Sequence, residues 1–139
     1  DAKRQGFYLE VTSSYRTNEE QKEIMAEKVQ AFQDQGFSEQ EAIETAESWV
    51  AVPRTSEHEV GLAVDINAQS KRSTDEEVYA WLAKNAYKYG FILRYPSDKV
   101  EITGVSYEPW HYRYVGKKAA LEIQKASLTL EEYLAENNN

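Results

Sequence analysis

Short apolar stretches with strand character alternate in this chain with segments of helical period, and no strand–helix–strand spacing recurs. In FYLEVTS (7–13), Phe7, Leu9 and Val11 alternate with Tyr8, Glu10 and Thr12, the two-residue period of a half-buried strand. LAVDIN (62–67) and FILRY (91–95) read as further strands, and VEITGVSYEPWHYRYV (100–115) as two short strands around Gly104 with a break at Pro109. Between them, TNEE (17–20) and SEQE (38–41) are capping boxes that open helices reaching about residues 35 and 49. Ile24, Met25, Val29 and Phe32 form the apolar stripe of the first helix, and Ala42, Ile43, Ala46 and Trp49 that of the second. Gly36 stops the first, and Pro53 ends the second region because the residue before proline leaves the helical basin.

A third helix is predicted over about 75–89, with Val78, Trp81, Leu82 and Ala86 facing inward and Gly90 as its cap. Another starts near 117, TLEE (129–132) opens one more, and the terminal ENNN reads as frayed. The fold class is α+β: a small, mainly antiparallel β-sheet with helices packed around it. A single domain is expected over 1–139, with a helical insertion at about 38–50 and C-terminal helices at about 117–136.

The 139 residues suffice for one core. No run approaches the roughly 18–20 apolar residues of a membrane span. The absence of cysteine removes disulfides and thiolate metal sites. A net charge of −8 argues against nucleic acid, and an anionic substrate would need a local arginine or metal. The chain starts without Met, so a signal peptide or anchor is expected outside this segment.

The two histidines, His58 and His111, stand far apart in sequence, each near a carboxylate. His58 and Asp65 are separated by an odd number of residues, which in one strand would put them on opposite faces. His58 is therefore expected on a loop before Gly61, and Asp65 on the strand face that carries Ala63, away from Leu62, Val64 and Ile66. Glu108 and His111 pose the same problem, and a bend at Pro109 would solve it. Two imidazoles and a carboxylate are a donor set for zinc that leaves a fourth position open, whereas calcium and magnesium prefer oxygen. Glu108 would then serve as general base toward a zinc-bound water. On spacing alone the bland alternative stands beside this: a hydrogen-bonded surface histidine and a capping aspartate.

SEHEVGLAVD (56–65) fits the pattern S-x-H-x-x-G-x-A-x-D, and EPWH (108–111) fits E-x-W-H. With SSYRTNEEQ (13–21) upstream, these motifs resemble, in order, those of the VanY-like D-alanyl-D-alanine carboxypeptidases. That family belongs to a group of zinc peptidases that includes lysostaphin-type enzymes and the hedgehog signalling domain. The resemblance implies zinc in a cleft over the sheet, held by His58, Asp65 and His111. It implies Glu108 as the catalytic base that hands its proton to the leaving amine, and Arg16 as the group that polarises the scissile carbonyl. Ser56 and Gln21 match positions that hold the terminal part of the substrate; Gly61 and Ala63 match steric positions. Trp110 is a pocket wall or a core residue.

The implied reaction is removal of the terminal D-Ala from peptidoglycan stem peptides, either D,D on a pentapeptide or L,D on a tetrapeptide. It would take place outside the cytoplasmic membrane, at the cell wall or cell surface. The alternatives are a phage-lysin-type cell-wall endopeptidase on the same metal set and a non-catalytic zinc-bearing binding domain; Glu108 and Arg16 speak against the second. The insertion at 38–50 is expected to cap the cleft.

Overall fold

The computed structural model describes residues 1–137. Four strands, β1 (Leu9–Ser13), β2 (Ala63–Ala68), β3 (Phe91–Leu93) and β4 (His111–Tyr114), form an antiparallel sheet in the order β1-β2-β4-β3. Helices α1 (Asn18–Gln33), α2 (Glu39–Glu47), α3 (Asp75–Asn85), α4 (Val100–Thr103), α5 (Lys117–Ala126) and α6 (Leu130–Asn137) surround it. The last strand in sequence, β4, enters the middle of the sheet and pairs on both sides. It therefore lies against β2, with His111 directly opposite Asp65.

Strand alternation divides the sheet into two faces. On one, Val64, Ile66 and Tyr112 pack with Phe7 and Leu9 against Val78, Trp81 and Leu82 of α3. Val78 is fully shielded and Leu82 nearly so, each worth about 1.5–3 kcal/mol of burial. The other face carries Asp65, His111 and Arg113. At its β3 edge Ile92 packs on Ala120 and Ile123 of α5, with Leu130 and Tyr133 of α6 beside them.

Local signals explain the helix starts. Thr17 and Ser38 each accept a hydrogen bond from the backbone three residues on, and Glu20 and Glu41 return it. Thr74 with Glu77 and Thr129 with Glu132 repeat the arrangement. The helix predicted to reach residue 89 is α-helical to Asn85 and tightens into a 3-10 turn over Ala86–Tyr89, closed by Gly90 with φ of 90°. Ile43 and Trp49, assigned inward by the helical stripe, are 36% and 40% exposed, while Ala42 and Ala46 are buried. Of the terminal ENNN, Glu136 and Asn137 belong to α6, and Asn138 and Asn139 lie outside the described residues.

One predicted strand is absent among the described residues. The first of the two strands predicted around Gly104 is the helical turn α4, which ends when the Gly104 amide bonds to the Val100 carbonyl at 2.8 Å. Local bonds take the amides of this segment instead: those of Ile102 and Thr103 both close on the Lys99 carbonyl at 3.0 Å.

Candidate metal centre

Three connections converge above the middle of the sheet. The first follows β1, where the register slips between Val11 and Ser13, so that Ser13 instead of Thr12 faces Asp65. This bulge turns Ser13 toward the site, where its hydroxyl accepts from Arg16 Nε at 3.0 Å. The second is the loop 56–62. The amide of Gly61 bonds to the His58 carbonyl at 3.1 Å, and that of Leu62 to Glu57 at 3.3 Å. This paired closure needs a left-handed residue, and Gly61 has φ of 70°. His58 thus sits on a loop and Asp65 on the strand. The third is the turn 108–111, in which the His111 amide bonds to the Glu108 carbonyl at 3.1 Å across Pro109. The bend at Pro109 is a four-residue turn before β4, and it brings Glu108 Oε2 to 3.5 Å from His111 Nδ1.

His58, Asp65 and His111 present donor atoms that all lie within 4.8 Å of one another. Asp65 Oδ1 is 3.3 Å from His58 Nε2 and 3.3 Å from His111 Nδ1. A tetrahedral ion with bonds of about 2.0–2.1 Å sets its ligands about 3.3 Å apart, so the spacing suits zinc. His58 Nε2 and Asp65 Oδ1 are buried without a hydrogen-bond partner, a costly arrangement unless a cation lies between them. The far ring nitrogens are occupied. His58 Nδ1 donates to the Ser14 carbonyl at 2.6 Å, and His111 Nε2 faces Glu57 Oε2 at 3.5 Å. Those partners fix both tautomers so that the lone pairs of His58 Nε2 and His111 Nδ1 point to the shared centre.

The electrostatics agree. Burial works against charging Asp65, yet the two imidazoles outweigh it and hold its carboxyl far below the usual range. Burial likewise opposes charge on His111, but the carboxylates of Asp65 and Glu57 push its pKa up to about 9. The pocket stabilises a positive charge, and a metal ion takes the place of the proton. Glu108 is the opposite case: burial, with Asp65 adding to it, raises its carboxyl to about 7.

The cavity over these groups has a volume of about 270 Å³, and Arg16, Gln21, Ser56, Glu108 and Trp110 all line it. The Arg16 guanidinium holds Asp65 Oδ2 at 2.9 Å and Gln21 Oε1 at 3.3 Å. Gln21 is 1% exposed and donates to the Ala51 carbonyl at 2.8 Å. Ser56 accepts from the His58 amide at 3.3 Å. Glu47, Trp49 and Val50 of the insertion, with Ala51 just beyond it, form one wall.

Glu57 also reaches the site, outside the residues expected from the sequence. Its carboxylate takes hydrogen bonds from Arg94 at 2.7 Å and contacts Arg113 at 2.8 Å. Burial opposes its ionisation, but His111 and the two arginines hold its pKa at about 2. One signal was available: Arg113 stands two residues beyond His111 in β4, hence on the same face.

Fold and site together define a domain of the zinc-peptidase class: an antiparallel sheet bearing a His–Asp–His donor set with a buried carboxyl beside it. The chain belongs to the VanY family of D-alanyl-D-alanine carboxypeptidases, whose profile matches residues 1–117. A D-alanyl-D-alanine carboxypeptidase of Enterococcus faecalis (strain ATCC 700802 / V583) is 59% identical over 133 residues, covering 96% of this chain and 50% of the relative. The chain thus spans about half the length of that relative. The structure of VanYB in complex with D-Ala-D-Ala superposes with a TM-score of 0.95 at 58% identity, over 96% of this chain and 74% of that one. A mutant of the vancomycin-resistance D,D-pentapeptidase VanY, in complex with Zn(II), gives a TM-score of 0.94 at 59% identity, over 96% and 75% of the two chains.

Proposed function

We propose that this chain is the catalytic part of a zinc-dependent D,D-carboxypeptidase that removes the terminal D-Ala from peptidoglycan stem pentapeptides, outside the cytoplasmic membrane. The observation that carries the reading is the convergence of His58 Nε2, Asp65 Oδ1 and His111 Nδ1 beside the buried carboxyl of Glu108. The likeness to VanYB, bound to D-Ala-D-Ala, supports the substrate class. A cell-wall substrate supports the location. No helix among the described residues is long and apolar enough to cross a membrane.

His58, Asp65 and His111 are the residues that hold the ion. Zinc held there supplies a Lewis acid that polarises a carbonyl and acidifies water. Glu108 takes a proton from the attacking water and passes it to the departing amine nitrogen. Its carboxyl, 3.5 Å from His111 Nδ1 and beside the three donor atoms, is placed for both transfers. Arg16 donates to the scissile carbonyl oxygen as negative charge develops there. Ser56 uses its oxygen as an acceptor within the loop, which leaves its hydroxyl proton for the terminal carboxylate. Gln21 has one amide hydrogen on Ala51 and a second for the same group.

Incubation with stem penta- and tetrapeptides, with and without a chelator, tests the reading by mass spectrometry. Loss of one alanine from the pentapeptide, abolished by the chelator and by amidation of the substrate's C-terminus, is the expected result. Loss from the tetrapeptide alone would establish L,D-specificity. An internal cut that survives amidation would establish an endopeptidase, and no cut at all a binding domain.

A further inference from the structure

The metal centre is continuous with a buried chain of charges that runs away from it to the last helix. Glu57 directs Oε2 at the outer nitrogen of His111 and spends Oε1 on Arg94 and Arg113. Arg94 is only 9% exposed. Its guanidinium grips Glu131 of α6 in a two-pronged contact, Nη1 to Oε2 at 3.0 Å and Nη2 to Oε1 at 2.6 Å. It also stacks on the Tyr95 ring at 4.8 Å, and that ring lies 5.0 Å from the His111 ring. Arg94 thus touches both groups that flank the imidazole. Helix α6 is fixed independently, by Leu130 and Tyr133 in the core cluster and by Lys99 on Glu132 at 3.0 Å. It lies wholly beyond residue 117, where the family match stops.

We propose that Glu57 is a positioning residue of the metal centre, which holds the His111 ring for metal binding, and that α6 sets Glu57 through the Glu131–Arg94 contact. This rests on the zinc reading above. A carboxylate on the outer nitrogen of a ligating histidine fixes the ring and raises its basicity, and loss of such a partner weakens metal binding about 10–100-fold. Glu57 can do this only if its own carboxylate stays oriented. Two arginines on Oε1 leave Oε2 for the imidazole. Arg94 in turn has three directed donors engaged, Nε on Glu57 and both terminal nitrogens on Glu131. Releasing Glu131 frees the fork to turn away, and Glu57 loses one of the two anchors of its geometry. Buried ion pairs contribute uncertain net stability because desolvation offsets attraction. Orientation is the property that this chain of contacts supplies.

The test is zinc affinity, read by competition with a chromophoric chelator without any substrate. The expected result is a loss of about 10–100-fold for Glu57→Gln and about tenfold for Glu131→Gln. The double variant should be no weaker than Glu57→Gln alone, because both act through one path. Lys99→Gln removes the neighbouring tether of α6 without touching Arg94; it should lower the melting temperature and leave zinc affinity unchanged. Wild-type affinity in Glu57→Gln or Glu131→Gln, additive losses in the double variant, or equal weakening by Lys99→Gln would each overturn the proposal. Glu131 lies at the rim of the network with its side chain 38% exposed, so its variant tests the idea even if Glu57→Gln folds poorly. A chain that follows this pattern in zinc binding but cleaves no peptide would defeat the peptidase reading and leave this one standing.

Discussion

His58 Nε2 and Asp65 Oδ1 face each other at 3.3 Å inside the cavity, both buried and neither with a hydrogen-bond partner. Two such atoms are costly unless an ion lies between them, so metal binding and folding stability are linked. Zinc at 100 times its dissociation constant should add about 2.7 kcal/mol to the folded state. Calorimetry with and without a chelator should show a higher melting temperature for the zinc form, with one zinc per chain by elemental analysis. His58→Ala should bind no zinc and melt at one temperature in both conditions. A chelator-insensitive wild type would remove the metal centre from this account.

Glu108 sits 3.5 Å from His111 Nδ1 but outside the three-atom cluster, which predicts a separation of binding from chemistry. Glu108→Gln keeps the shape of the side chain and removes its proton transfer. Turnover should fall by about 10²–10⁴-fold while zinc content and affinity stay at wild-type levels. A variant that loses zinc instead would make Glu108 a ligand, and one that keeps full turnover would place the base elsewhere.

What the sequence revealed here was mostly local. The capping residues Thr17 and Ser38 state where α1 and α2 begin, because a cap is a contact made within four residues. Strand alternation separates Asp65 from Val64 and Ile66, and Pro109 announces the turn that swings Glu108 toward His111. What stayed hidden depends on distant partners. Glu57 reaches Arg94 and His111 across 37 and 54 residues of chain, and no periodicity encodes a contact of that range.

Acid should uncouple α6 from the site. Burial alone would raise the Glu131 carboxyl, but the hydrogen bonds from Arg94 outweigh it and hold it below its ordinary 4.5. A depressed carboxyl contributes stability that is complete above the unfolded value and lost as pH falls through the folded one. The difference in melting temperature between wild type and Glu131→Gln, both kept metal-free, should be constant from neutral pH down to about 5. Below 4.5 it should shrink toward zero. A difference that persists in strong acid would mean that packing, not the ion pair, holds α6.

The tightest backbone constraint lies at the start of β3. Gly90 has φ of 90°, and a methyl group there would meet Tyr114 Cε2 at 2.7 Å and the Gly116 carbonyl carbon at 3.1 Å. Tyr114 is 46% exposed and its ring can turn aside, but the Gly116 backbone, whose Cα would lie at 3.2 Å, cannot. Gly104 also has positive φ, 70°, but open space around it. Gly104→Ala should therefore lose only the cost of a left-handed backbone, about 1–2 kcal/mol, or roughly 4–8 °C in melting temperature. Gly90→Ala should lose that and more, because the Gly116 backbone must also give way. Equal losses at the two positions would show that the sheet edge yields to the methyl, and a larger loss at Gly90 that the Gly116 backbone is held in place.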